Sequence, residues 1–255
     1  MEKINSNQNA RVKAWAKLQT KKGRQASQTY LLDGWHLVQE AIHSDGKIRA
    51  IIATEDQYEL HQDELPLGVP VFVIYDDIAK KLSDLVTPQG IFAEVSLPNF
   101  NRAPKYIHEG AWLFLDAIQD PGNVGTMVRT ADAAGFAGVV FGQGSVDPYS
   151  PKAVRAMQGS QFHLQLANGD LHEWIPEFVR NEFQVYGTQL NPEATNIFEI
   201  IPAQNFALVM GNEGQGMATD LAEMTNQNLY IPLKGHAESL NVGVAAGVAM
   251  FTLNH

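Results

Sequence analysis

The chain of 255 residues is long enough for one large domain or two modest ones, each with its own core. It holds no cysteine, which excludes disulfides, thiolate zinc sites and cysteine nucleophiles and fits a reducing cytoplasm. The formal net charge of −10 is unevenly spread: residues 1–30 carry seven Lys and Arg against Glu2 alone, leaving 11 basic and 27 acidic residues for the rest, a basic arm on an acidic body that points to nucleic acid or, more blandly, to a solvated basic helix.

The opening MEKINSNQNARVKAW lacks the apolar segment of a secretory signal. The longest apolar run, Val242 to Leu253, is too short to span a bilayer, so a soluble cytoplasmic protein is expected. Arg11 to Lys22 predicts a basic helix with a narrow apolar stripe of Val12, Trp15 and Leu18, ended by Gly23. Tyr30 to Leu32 reads as a short strand and Asp33-Gly34 as a turn. WHLVQEAIHS follows as a helix, with Leu37, Val38, Ala41 and Ile42 at helical spacing. Strands are expected over 47–53, 69–75 and 90–97, with a helix over 78–85 capped by Asp76-Asp77. Pro98 to Pro104 reads as a linker, which places an N-terminal domain at 1–100 and a second domain at 106–255.

The second domain opens with an apolar strand over 111–118, a turn at Pro121-Gly122 and a helix over 124–134. A strand over 138–142, a helix begun by Ser150-Pro151, an amphipathic helix over 171–181 and a strand over 184–189 come next. Two apolar runs, Phe206 to Met210 and Leu229 to Leu233, have the composition of buried parallel strands. The alternation predicts an α/β fold with a mostly parallel sheet. Gly211, Gly214 and Gly216 after the first run, and Pro232 and Gly235 after the second, permit positive φ and close approach of a ligand to bare backbone. Such strand ends are where open α/β sheets bind ligands. Ser239 and Asn241 precede an Ala/Gly/Val helix, whose first N–H groups favour polar or anionic partners.

Several chemistries are excluded by pattern. There is no Walker GxxxxGK[ST], no GxGxxG, no HExxH spacing among the eight histidines and no nucleophile elbow around Ser239. What remains at the strand ends is Asn123, Arg129, Glu213, Ser239 and Asn241, a set able to position a hydroxyl and a phosphate. From the residues alone the reading is an α/β protein binding a small ligand near a phosphate.

Taken together, DPGNVGTMVRTADAAGF, LVMGNEGQGM and IPLKGHAESLNVGVAAGVAMF resemble the three consecutive signature motifs of the SpoU/TrmH family of RNA ribose 2′-O-methyltransferases, in order and across most of residues 113–253. More loosely, YLLDGWHLVQEAI and VTPQGIFAEV resemble the ribosomal-protein-like substrate-binding domain of many members, with Asp33-Gly34 where the family usually has Glu-Gly. The resemblance implies an α/β sheet whose C-terminal segment is threaded into a trefoil knot, which pattern alone would not suggest. It also implies S-adenosylmethionine in the knot loops, no metal, and a homodimer with the site completed at the interface. By match, Gly211, Ile231 and Leu240 are the expected cofactor contacts, with Thr188 and Met210 nearby.

The resemblance makes Arg129 the chief catalytic residue. Its high intrinsic pKa argues for positioning a phosphate and stabilising charge rather than acting as a base. Asn123, Glu213, Ser239 and Asn241 match the supporting polar residues; the competing reading for each is a capping or loop-bracing hydrogen bond. The implied substrate is rRNA ahead of tRNA. A catalytically silent RNA-binding module and a small-molecule methyltransferase are the alternatives, and the intact polar set and the basic arm argue against them.

Overall fold

A computed structural model describes residues 1–44, 46–99, 109–189, 191 and 193–254. They gather into two compact units, Met1–Pro98 with Asp147–Phe162, and Asn99–Val146 with His163–His255. Most of the expected linker, from Phe100 onward, lies outside the described residues.

The first unit contains β1 (Glu2–Ile4), α1 (Ala10–Lys17), α2 (Lys21–Ser27), β2 (Thr29–Asp33), α3 (Trp35–His43), β3 (Ile48–Thr54), α4 (Glu55–His61), β4 (Val71–Ile74), α5 (Asp76–Leu82) and β5 (Ile91–Ser96). Its sheet runs β1-β4-β3-β5-β2, parallel through β1, β4 and β3 and antiparallel on to β5 and β2. The stripe of Val12, Trp15 and Leu18 is buried in the core with Ile52, Phe72, Ile78 and Phe92. The single basic helix ended by Gly23 is not found. Helix α1 stops at Lys17, and Thr20 caps α2 by accepting from the Gly23 N–H at 3.1 Å. Gly23 lies inside α2, where a Cβ would stand 2.0 Å from the Lys17 carbonyl oxygen, so the close turn between the helices requires glycine there. Asp76 and Asp77 occupy the first turn of α5 rather than its cap, which is Tyr75; there they face the positive end of the helix. β1 and α4 escape periodicity because one has three residues and the other buries none.

Of the basic residues at the start of the chain, Lys13, Lys17, Lys21 and Lys22 are exposed. Arg24 is buried: its guanidinium donates to the Leu18 carbonyl at 2.8 Å and to Asp147 at 2.7 Å. The later segment that joins this unit carries α7 (Pro151–Met157). Arg155 on α7 makes a two-pronged pair with Asp84 at 2.5 and 2.8 Å and holds that carboxyl below its ordinary range. Both arginines therefore work as internal ties.

The second unit contains β6 (Ala111–Leu115), α6 (Pro121–Ala133), β7 (Gly138–Phe141), β8 (Gln165–Asn168), α8 (Leu171–Arg180), β9 (Gln184–Thr188), β10 (Thr195–Asn196), β11 (Phe206–Met210), α9 (Thr219–Met224), β12 (Gln227–Tyr230) and α10 (Val242–Leu253). Its seven strands are all parallel in the order β10-β12-β9-β11-β6-β7-β8. Every residue of β6 and β11 is buried, as central parallel strands require. One face packs an aromatic cluster of Trp112, Phe114, Trp174, Phe178 and Phe183.

Strand β6 is shorter than expected because Ala117 turns the chain into left-handed backbone at φ 52°. Pro121-Gly122 is not a free turn but the first turn of α6, capped by Asp120, whose Oδ1 accepts from the Asn123 N–H at 2.9 Å. β12 lies earlier than the expected run, and Ile231 to Leu233 leave the sheet, since Pro232 has no N–H to pair. The chain builds β6, β7 and β8 outward and later inserts β11 between β6 and β9. The strand order thus reverses beside β6, the kind of point where such sheets bind ligands.

Candidate functional site

The site is built on the loop that leaves β11. Gly211 is required there by the protein itself: a Cβ would stand 2.0 Å from the Met217 nitrogen and 2.4 Å from the Gly216 carbonyl carbon. The loop closes directly on that position, so bare backbone is needed for the fold, not first for a ligand. Gly216 has a positive φ of 72°, whereas Gly211 and Gly214 do not. A Cβ at Gly216 or Gly235 would meet no protein atom within 4 Å beyond its chain neighbours, leaving open space beside the backbone.

Glu213 is held from several sides. Its Oε1 accepts from Asn123 Nδ2 at 3.2 Å and from the Asp120 N–H at 3.3 Å, and its Oε2 from the Gln119 N–H at 3.4 Å. Partial burial alone would raise its pKa. The hydrogen bonds to its own backbone, Asn123, Asp120 and Gln119 outweigh this and hold the carboxyl below its ordinary value. Asn123 Oδ1 in turn accepts from Asn241 Nδ2 at 3.1 Å. Asn241 caps α10, its Oδ1 taking the Gly243 and Val244 N–H groups at 2.9 and 3.3 Å. The expectation that this helix start offers uncapped donors is therefore corrected, because its own cap satisfies them. Glu213, Asn123 and Asn241 form one connected chain from residues far apart in sequence.

Beside that chain lies a cleft of about 810 Å³ at the ends of β9, β11 and β12. Thr188, Met210, Gly211, Ile231 and Leu240, the five expected cofactor contacts, all line it, as do Glu213 and Ser239. Thr188 donates its hydroxyl to the Val209 carbonyl at 2.8 Å, so it presents to the cleft a side chain already satisfied. Ser239 is exposed at the rim. Arg129 is not among the lining residues; it is exposed on α6, with no hydrogen bond or ion pair among the described residues.

Open backbone at Gly216 and Gly235, apolar Met210, Leu229, Ile231 and Leu240, and the carboxylates of Glu213 and Glu238 suit a ligand with a flat heteroaromatic ring and a charged tail. S-Adenosylmethionine has that form. Two further side chains outside the expected set shape the site. Asn212 Oδ1 accepts from the Gly214 and Gln215 N–H groups, and Asp116 Oδ2 accepts from the Ala218 N–H at 2.8 Å. An Asn after a strand-end glycine is a side-chain turn former, which is the available local signal; Asp116 offers none.

Residues 110–251 match the SpoU rRNA Methylase family, and residues 9–93 match the MRM3-like substrate binding domain. A 23S rRNA (guanosine(2553)-2′-O)-methyltransferase, RlmP, of Bacillus subtilis is 41% identical over 253 residues, covering 99% of each chain. An AdoMet-bound rRNA methyltransferase from Sinorhizobium meliloti superposes with a TM-score of 0.86 at 28% identity, covering 99% of this chain and 97% of the other. A putative RNA methyltransferase of the TrmH family from Porphyromonas gingivalis is similar at 30% identity and a TM-score of 0.86, covering 96% and 98%. Among the described residues, no helix is long and apolar enough to cross a membrane.

Proposed function

The chain belongs to the SpoU rRNA methylase family, and from that premise we propose how its residues divide the work of an S-adenosylmethionine-dependent rRNA ribose 2′-O-methyltransferase. The observation that carries the reading is the linked chain of Glu213, Asn123 and Asn241, which reaches the cleft through Glu213. It joins the three signature segments into one polar arrangement. When bound, S-adenosylmethionine supplies a methyl group already activated on a sulfonium, so no metal is called for.

The bare loop of Gly211 to Gly216 and the apolar Met210, Ile231 and Leu240 hold the adenosyl part, with Thr188 closing one side. Asn123, Glu213 and Asn241 orient the ribose, and Ser239 is placed at the rim to meet it. Arg129 takes an RNA phosphate and steadies the developing negative charge on the 2′-oxygen. Its guanidinium, which has no hydrogen bond or ion pair among the described residues, supports this role, since it is available to an external partner. Because Arg129 stands outside the cleft, a homodimer that completes the site across its interface belongs to the same reading. So do the trefoil knot and a cytoplasmic location.

Purified protein with labelled S-adenosylmethionine and rRNA is expected to place one methyl group on a ribose 2′-hydroxyl. Cells with and without the protein are expected to differ at that nucleotide in a map of 2′-O-methyl sites. Identical maps and no transfer in vitro would overturn the reading.

Lys17, Lys21 and Lys22 are exposed on the first unit and suit phosphate contacts. RNA affinity is expected to fall by about 0.7–0.9 log units per log unit of salt for each phosphate contact. Replacing all three with Gln flattens that slope while cofactor affinity stays unchanged. A slope that does not move returns these lysines to the role of a solvated surface.

A further inference from the structure

We propose that Asn212 is a positioning residue that couples the cofactor loop to the carboxylate of Glu213. The inference rests on the role of Glu213 given above. Asn212 lines the cleft, yet its polar atoms turn to the protein. Its Oδ1 accepts from the Gly214 N–H at 2.9 Å and the Gln215 N–H at 3.2 Å, and its carbonyl accepts from the Gly216 N–H at 2.9 Å. These bonds fold the cofactor loop. Its Nδ2 points the other way and donates to the Ala117 carbonyl at 2.8 Å.

Ala117 is the left-handed residue that ends β6. For a residue with a Cβ this backbone is unfavourable and persists only when its surroundings hold it. Two and three residues further on, the N–H groups of Gln119 and Asp120 donate to Glu213. One side chain therefore shapes the loop that meets the cofactor and pins the turn that aims two donors at the carboxylate. A change in the cofactor loop is passed through Asn212 to Glu213, and through Asn123 to Asn241.

The two halves of the side chain separate by substitution. Asn212→Asp keeps acceptors for the loop N–H groups and loses the donor to Ala117. Asn212→Ser keeps one oxygen to accept from the loop without adding charge, as Ser does in short turns, and removes the Nδ2 amide that reaches Ala117. Calorimetry is expected to give both variants a cofactor affinity within about threefold of wild type, with Asn212→Ala about tenfold weaker. Single-turnover methyl transfer to bound rRNA at saturating cofactor is expected to drop about tenfold or more in Asp and Ser alike. Amide exchange at Gln119 and Asp120 is expected to quicken by about tenfold in both.

A wild-type rate in Asn212→Ser would overturn the coupling, since an effect confined to Asp is one of charge. Unchanged exchange at Gln119 and Asp120 would overturn it with no turnover needed. Glu213→Gln, measured in parallel, separates the two readings. If it transfers methyl normally, the role of Glu213 and the coupling fall together. If it is impaired while the Asn212 variants are not, the coupling alone falls.

Discussion

Arg129→Ala is expected to reduce single-turnover methyl transfer by roughly 10²-fold or more, the scale of losing one preorganised donor at a developing charge. Its melting temperature and cofactor affinity should stay near wild type. The structure supplies the reason for the split: Arg129 is exposed, lacks a hydrogen bond or ion pair among the described residues, and does not line the cleft. Removing it breaks no internal tie. Arg129→Lys is expected to recover little, because a point charge does not reproduce the planar fork that grips a phosphate. The measurement is single-turnover methylation of bound rRNA beside a thermal melt for each variant. Near-normal turnover by a well-folded Arg129→Ala protein would remove Arg129 from the mechanism. A joint fall of stability and cofactor affinity would assign it a bracing role instead.

Gly211→Val is expected to weaken cofactor binding by roughly 10²-fold, corresponding to about 3 kcal/mol, and to lower the melting temperature as well. The added Cβ would meet the backbone of Gly216 and Met217, which has no flexible end to swing away. The loop must then open. Gly235→Val is the contrast, since a Cβ at Gly235 meets no protein atom within 4 Å. Added bulk there interferes with a ligand alone, so affinity should fall while the melting temperature holds. Calorimetry and thermal melts on both variants check the pair. A folded Gly211→Val protein with unchanged affinity would contradict the assignment of the cleft.

Much of this protein is determined by the sequence alone, where the signal is local. The unbroken apolar runs of β6 and β11 had the length and composition of buried parallel strands, which are covered on both faces, and both are fully buried. Val12 and Trp15 marked the buried face of α1 by spacing, and Leu18, its C-cap, joins them in the core. Asn241 ahead of α10, and Ser150 ahead of α7 with Pro151 as its first residue, marked helix starts. The motif segments and the resemblance they carry pointed to Met210, Gly211, Ile231 and Leu240, and the resemblance added Thr188 from outside those segments; all five line one cleft.

The tertiary structure decided what depends on distant partners. Nothing local tells Arg24 from Lys22, yet one is buried against Asp147 and the other is exposed. Nothing local says that Gly211 is demanded by Met217, or that Ala117 turns left-handed within reach of Asn212. Glu213 and Asn123 are 90 residues apart, and Asn123 and Asn241 are 118 apart. Periodicity reports only which face of an element is buried. Which elements become neighbours follows from the parallel crossovers that insert β11 between β6 and β9, and that choice is made by packing across the whole sheet.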